Sequence, residues 1–528
     1  MPDLIHQFIQ AGASRAPDAP ALHYKAQTCT YGQLNEDIAR VAGGLAALGL
    51  SAGERVAVYL PKLPETVQAI FGTAAAGGVF VPVNPLLKPQ QVSYILRDCN
   101  VRVLVTSAQR LESLVPLLED CHDLRAVVVI DDGAEPPETD MAPKRIAWRK
   151  LVDRPSGIPA PHRIDTDMAA ILYTSGSTGN PKGVVLSHRN MVAGARSVAS
   201  YLENTANDRL LAVLPFSFDY GLSQLTTAFS VGASVALMDY LLPRDILRAL
   251  TRYRITGLAA VPPLWNQLVQ LDWPREAADE LRYITNSGGA MPRTTTERLR
   301  SALPDTRIYL MYGLTEAFRS TYLPPEQVDK RPDSMGKAIP NAEILVVRED
   351  GSECAPGEPG ELVHRGSLVA MGYWNDPDKT AERFRPSPGQ ARELPLSEIA
   401  VWSGDQVRRD EEGYLYFISR KDDMIKTSGY RVSPTEIEEV VYGMAGVTEV
   451  AAVGLPHPTL GQAILLVVVC GADIAEETIM AHCKKELPNF MLPRRIMTAD
   501  ELPRNQNGKI DRKQLFQTHE LLFQESES

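Results

Sequence analysis

Between Tyr173 and Gly183 the chain reads Tyr-Thr-Ser-Gly-Ser-Thr-Gly-Asn-Pro-Lys-Gly. Gly176 and Gly179 let the backbone turn its N–H groups inward and approach an anion closely. The hydroxyls of Thr174, Ser175, Ser177 and Thr178 and the ammonium of Lys182 add further donors. That is the equipment for cradling polyphosphate. The run is not a P-loop, which ends in Gly-Lys followed by Ser or Thr; here Lys182 is followed by Gly183 and Val184. A glycine-rich loop is by default a flexible link, but this pattern is far more specific than its composition. Two further places could join such chemistry. Thr315-Glu316 follows Tyr312-Gly-Leu, although a lone Thr-Glu is ordinarily a helix-start signal. Lys509 sits in a polar loop between Gly508 and Ile510, where a lysine is by default solvated.

These residues must be held by a scaffold. Residues 169–172 and 184–187 flank the loop with strand-like runs, and 55–60, 79–83, 101–105 and 126–130 are β-branched segments of the same kind. A helical pattern covers 65–76, and Val92, Ile95, Leu96 and Cys99 recur at helical spacing. Further buried strands are expected at 210–214, 233–237 and 307–311. Apolar strands alternating with helices predict an α/β fold of two doubly wound layers, divided near residue 170. From about 331 to 418, glycine, proline and turn pairs predict a small β-rich, barrel-like subdomain. The large domain is thus expected over 1–418, with subdomains 1–170, 171–330 and 331–418. The charged stretch 419–423 reads as a hinge, and 424–528 as a small α+β domain.

The chain has 528 residues, enough for about three domain-sized units. With 44% hydrophobic and 23% charged residues it can bury a large core. A net charge of −11 argues against a general nucleic-acid binder, whose affinity comes from clustered Lys and Arg. Cys29, Cys99, Cys121, Cys354, Cys470 and Cys483 form no Cys-x-x-Cys pair, so reduced buried thiols are expected. The N-terminus lacks a basic segment before an apolar run, and the most apolar stretch, 463–472, is too short to span a bilayer. A cytoplasmic location is expected.

The run at 173–183 resembles the phosphate-binding motif of the adenylate-forming superfamily: acyl-CoA synthetases, luciferases and the adenylation domains of nonribosomal peptide synthetases. Further motifs follow in the family's order. They are Thr30-Tyr31-Gly-Gln-Leu34, Asn286-Ser-Gly-Gly-Ala290, Tyr312-Gly-Leu-Thr-Glu316, Gly336-Lys-Ala-Ile-Pro340 and Ser403-Gly-Asp405. Then come Ser419-Arg-Lys-Asp-Asp-Met-Ile-Lys426, Gly429-Tyr-Arg431 and Asn507-Gly-Lys-Ile-Asp-Arg512. The resemblance spans essentially the whole chain. It implies activation of a carboxylic acid by ATP and Mg²⁺ as an acyl-adenylate, then transfer to a phosphopantetheine thiol on CoA or a carrier protein.

Residue by residue, the resemblance implies that Thr315 contacts the α-phosphate and Glu316 holds Mg²⁺. Asp405 would take the ribose hydroxyls with Arg420; Ser403 stands where the family usually has Thr. Tyr312 would stack on adenine, with Gly288 and Gly289 beside the nucleotide. Lys509 would neutralise charge where the carboxylate meets the α-phosphate. Asp422 matches a hinge about which the small domain turns after adenylation, presenting Gly429 and Arg431 to the thiol.

The acyl pocket departs from common acyl-CoA synthetases. Phe218 occupies a position that often carries histidine, and Phe216-Ser-Phe-Asp219 is similar to amino-acid-adenylating domains, whose aspartate holds the substrate's amino group. Ser287 and Arg319 match pocket-lining positions, and position 319 is commonly uncharged. A buried arginine there calls for an anion; the alternative is a structural salt bridge, with Asp219 itself as a partner. Asp219 and Arg319 together suggest an acidic amino acid activated at its side-chain carboxyl. The chain also resembles acyl-CoA ligases of exosortase and exopolysaccharide gene neighbourhoods. An ordinary fatty or aryl acyl-CoA ligase, a luciferase-like oxygenase and a catalytically silent nucleotide-binding scaffold are the alternatives. The silent scaffold is opposed by the presence of Lys182, Glu316, Asp405 and Lys509.

Overall fold

The computed structural model describes residues 2–130, 143–153, 161–174, 181–391, 393–420, 424–427, 430–457, 460–471, 474–505 and 508–523. Among them the β-branched runs become strands as expected. Arg55–Tyr59, Val79–Pro82, Val101–Ser107 and Ala126–Ile130 lie parallel in one sheet with Lys144–Ala147 and Met168–Thr174. Lys182–Ser187 closes its edge as the antiparallel partner of Met168–Thr174, so the glycine-rich run joins two paired strands.

The second layer is parallel through Pro20–Tyr24, Ser234–Leu237, Arg209–Ala212, Gly257–Ala260, Tyr283–Asn286 and Arg307–Tyr312. The layers trade strands across the expected division at 170. Pro20–Tyr24 pairs with Ser234–Leu237, registering Leu22 opposite Val235, whereas Met168–Thr174 and Lys182–Ser187 both stay in the first layer. The second sheet runs on through the antiparallel strands Thr321–Leu323 and Ser334–Ala338 into the β-rich subdomain, whose strands include Ala342–Val347, Gly360–Gly366, Ile399–Arg409 and Leu415–Arg420.

One continuous core joins both layers through helices Tyr31–Ala47, Pro64–Ala75, His188–Tyr201 and Asp219–Val231. Phe71 and Phe229 meet edge to face, their centroids 5.4 Å apart, and both are fully buried. Each such ring contributes about 2–3 kcal/mol by leaving water. The C-terminal unit has its own core, formed by the strands Val447–His457 and Gly461–Cys470 and the helices Pro434–Tyr442 and Glu476–Glu486. No described helix is long and apolar enough to cross a membrane. All six cysteines are free thiols.

Candidate active site

In a parallel sheet the carboxyl ends of the strands open into a crevice where ligands bind. Three such ends carry the residues of interest: Asp219 follows Arg209–Ala212, Ser287 and Gly288 follow Tyr283–Asn286, and Thr315 to Arg319 follow Arg307–Tyr312. From the first layer, Thr174 ends Met168–Thr174 and Lys182 begins the next strand. Residues 175–180, and with them Ser175, Gly176, Ser177, Thr178 and Gly179, lie outside the described residues, as do Asp422 and Gly429. Arg431 falls in the strand Tyr430–Val432, its side chain outside the description.

On the nucleotide side, the Tyr312 hydroxyl donates to Asp405 Oδ2. Asp405 Oδ1 has no hydrogen-bond partner among the described residues, although Arg420 Nε lies 3.3 Å away. Burial raises the Asp405 carboxyl above its ordinary range, and Arg420 and Tyr312 counter it. An orphaned carboxylate oxygen beside an arginine suits a diol. The Tyr373 hydroxyl donates to Glu316 Oε1 at 2.6 Å, and Lys182 Nζ stands 5.3 Å from the centre of the Tyr373 ring. No described cluster gathers three or more metal-ligating side chains. A single carboxylate such as Glu316 suits Mg²⁺, which takes one or two protein oxygens and draws the rest from phosphate and water. Tyr373 was invisible to motif reading because it acts from 57 residues away in sequence.

Lys509 reaches this crevice from the C-terminal unit. Its loop is braced by Lys509 N–H donating to Asn505 Oδ1 at 3.1 Å and by Arg504 Nη1 donating to the Gly508 carbonyl at 2.9 Å. Lys509 Nζ lies 5.5 Å from the centre of the Phe218 ring. A Cβ on Gly288 (φ +84°) would stand only 3.1 Å from Lys509 Cε, so a residue with a side chain there would meet both strain and crowding. Burial and the Arg420 charge lower the Lys509 ammonium below its ordinary value, opposed by Asp219, Asp405 and Glu316. Lys509 thus stands between the two halves of the crevice.

The acid side is built differently. Arg319 Nη1 donates to Asp219 Oδ2 at 3.1 Å, and the two side chains are only 2% and 4% exposed. The structural salt bridge allowed by the sequence is therefore formed. Thr315 Oγ1 donates to Asp219 Oδ1 at 3.4 Å, and the carboxylate also sits in the first turn of helix Asp219–Val231, where the helix dipole favours it. Burial nevertheless raises its pKa, with Arg319 and Lys509 pulling the other way. Arg319 Nε and Nη2 have no partner among the described residues. Behind the guanidinium, a cavity of about 10 Å³ lined by Tyr220, Ser223, Thr227, Thr285 and Met311 has room for about one water.

Arg319 is aimed inward by an uncommon turn. Phe318 has φ +55° and ψ −40°, and the Arg319 N–H donates to the Ala317 carbonyl at 2.6 Å. This is a γ-turn of the rarer, strained hand. The fully buried Phe318 ring fits over Gly194, whose Cβ, if present, would lie 2.5 Å from it.

The crevice therefore joins a diol-suited carboxylate, a metal-suited carboxylate, a lysine from the C-terminal unit and a second lysine beside the glycine-rich run. Residues 9–374 match the family model of the AMP-binding enzymes, and 436–509 that of their C-terminal domain. The chain belongs to the AMP-binding enzyme family. This AMP-binding enzyme is 31% identical to a long-chain-fatty-acid–CoA ligase of Escherichia coli O157:H7, an alignment covering 97% of the chain and 94% of the ligase. It is also 31% identical to part of a linear gramicidin synthase of Brevibacillus parabrevis, with 97% of the chain matched but only 6% of that much longer protein. It superposes on ATP-bound MatB from Rhodopseudomonas palustris with a TM-score of 0.86 at 26% identity, covering 98% of the chain and 99% of MatB. On apo MatB the TM-score is 0.75, over 99% of the chain and all of MatB. Membership makes the chain an AMP-forming acid–thiol ligase, with ATP, Mg²⁺ and a CoA or carrier thiol as its reactants and cofactor.

Proposed function

We propose that this ligase activates an acidic amino acid at its side-chain carboxyl and passes it to a phosphopantetheine thiol. In the first half-reaction a carboxylate oxygen of the acid attacks the α-phosphorus. The bond to the bridging oxygen of the β-phosphate breaks, and pyrophosphate leaves. Lys509 offsets the charge that builds between carboxylate and α-phosphate, with Thr315 at the α-phosphate and Lys182 on the polyphosphate. Asp405 and Arg420 hold the ribose, beside Tyr312, Gly288 and Gly289. Mg²⁺ held at Glu316 neutralises phosphate charge when bound. In the second half-reaction the thiolate attacks the acyl carbon and AMP leaves, after the small domain turns about Asp422 and presents Gly429 and Arg431.

The observation that supports the substrate is the buried Asp219–Arg319 pair at the base of the crevice, with Arg319 Nε and Nη2 still unpartnered among the described residues. Such a pair matches an ammonium and a carboxylate on one small molecule, whose own charges replace the internal partner of each side chain. An alkyl tail laid against those N–H groups would leave them buried and unsatisfied, at about 1–3 kcal/mol each. A second reading, an ordinary acyl-CoA ligase, is favoured by the near full-length match to the Escherichia coli enzyme. Pyrophosphate exchange across a panel of amino, dicarboxylic, aryl and fatty acids separates them. Exchange with aspartate or glutamate that Arg319→Ala abolishes, with ATP binding intact, supports the first; exchange with fatty acids alone rejects it.

A further inference from the structure

The two strands that flank the glycine-rich run are pinned by a helix end from elsewhere in the first layer. Tyr173 stands opposite Gly183, and Thr174 opposite Lys182, at the last registered pairs of those strands. The Tyr173 ring lies across Gly183, where a Cβ would stand 3.1 Å from the ring and 2.7 Å from Ile171. The Tyr173 hydroxyl reaches helix Pro89–Asp98 and donates to Asp98 Oδ2 at 2.5 Å. Burial raises this hydroxyl well above its ordinary pKa, so it stays the donor.

The same residue is tied to the segment beside the second strand. The Asp98 carbonyl accepts from Trp374 Nε1 and from Asn375 Nδ2, each at 3.0 Å. Trp374 N–H in turn donates to the Gly183 carbonyl at 2.7 Å, and Tyr373, which holds Glu316 Oε1, bridges Val184. Asp98 thus joins Tyr173, on the strand entering the run, to residues 373–375 along the strand leaving it. A carboxylate does nothing for the helix at this place. Asp98 is the last helical residue, where the dipole favours cations and alanine would be the better helix former. The cation at this helix end is Arg55, whose Nε and Nη2 donate to the Cys99 and Asn100 carbonyls at 2.6 and 2.9 Å. Asp98 Oδ1 takes a long bond, 3.5 Å, from the Tyr94 hydroxyl. The carboxylate therefore serves the tie to Tyr173 rather than the helix that carries it.

We propose that Asp98 is a positioning residue for ATP: through Tyr173 it fixes the placement of Thr174 and Lys182, and it rests on the reading above that Lys182 meets the polyphosphate. The AMP half, which that reading gives to Asp405 and Arg420, does not depend on this tie. Titration calorimetry on the intact chain measures Mg²⁺·ATP and, separately, AMP. Asp98→Ala and Tyr173→Phe are each expected to weaken ATP about fivefold and to leave AMP within about twofold. The double variant should stay near fivefold, since both changes remove one and the same bond. Equal loss of ATP and AMP would mean that the tie merely supports the fold. Losses that multiply in the double variant would mean that the two residues act separately, and unchanged ATP affinity that the strand ends keep their placement without the tie. Each of these overturns the proposal. Lys182→Gln is the reference. Unchanged ATP affinity there rejects the polyphosphate reading and the role of Asp98 with it, whereas a loss there beside an unchanged Asp98→Ala rejects Asp98 alone. Should Asp98→Ala fail to fold, the ratio of ATP to AMP affinity in Tyr173→Phe, which keeps the ring, decides.

Discussion

On the nucleotide side of the crevice, charged groups commit one oxygen to the protein and keep another for the ligand: Asp405 gives Oδ2 to Tyr312, and Glu316 gives Oε1 to Tyr373. On the acid side, Asp219 and Arg319 are closed on each other and almost wholly shielded from bulk solvent. The first arrangement is pre-organised, with donors and acceptors already aimed outward. Under the proposed function, the second exchanges an internal partner for an external one and so rejects any acid that does not bring both charges. On that proposal, one side serves the reaction and the other selects the acid.

The difference can be broken most strongly at the buried pair. Arg319→Ala leaves Asp219 as a lone buried carboxylate and is expected to lower stability by about 3–5 kcal/mol in urea unfolding. The combination Asp219→Asn with Arg319→Met should regain most of that; failure to regain it would show that the pair is not the closed unit described. Lys509→Ala sharpens the contrast from the other direction. It should reduce pyrophosphate exchange by about 10²–10³-fold without moving the urea midpoint, because the role proposed for Lys509 is to meet charge that develops only in the reaction. Tyr373→Phe removes one hydrogen bond from Glu316 and is expected to weaken Mg²⁺·ATP about fivefold, with AMP binding unchanged. Equal weakening of both would show that Tyr373 supports the whole nucleotide side.

The smallest expected effect near neutral pH concerns Lys509 itself. Burial lowers its pKa, so it is an ammonium below that value and loses its proton on rising pH sooner than an ordinary lysine. Adenylation, which needs the ammonium, should therefore fade at lower alkaline pH than thioester formation from the adenylate. Lys509→Arg should push that alkaline limb upward, because arginine keeps its proton. Coincident profiles for the two half-reactions would remove Lys509 from the first.

Much of this was legible in the residues, and the reasons divide along the same line. Val101–Ser107 and Ala126–Ile130 are unbroken β-branched runs whose strand character is local. The nucleotide side is spelled by short contiguous motifs such as Tyr312 to Glu316, because one strand end must present several groups at once. The trade of strands between the layers was not legible, since Leu22 meets Val235 across more than half of the large domain's chain. The Asp219–Arg319 contact spans 100 residues and the Tyr373–Glu316 contact 57. Charge at these two positions could nominate the Asp219–Arg319 salt bridge as one of two readings; only packing could decide that it forms.

The strained turn at Phe318 has a consequence for descent. A ring held at positive φ needs both the empty space over Gly194 and enough surrounding contact to offset the strain. The two positions are far apart in the chain yet form one mechanical part. In lineages that keep an inward arginine at 319, positions 194 and 318 should be inherited together. Where 318 becomes glycine and the turn relaxes, 194 should be released to accept a side chain, and the arginine should be the next to drift.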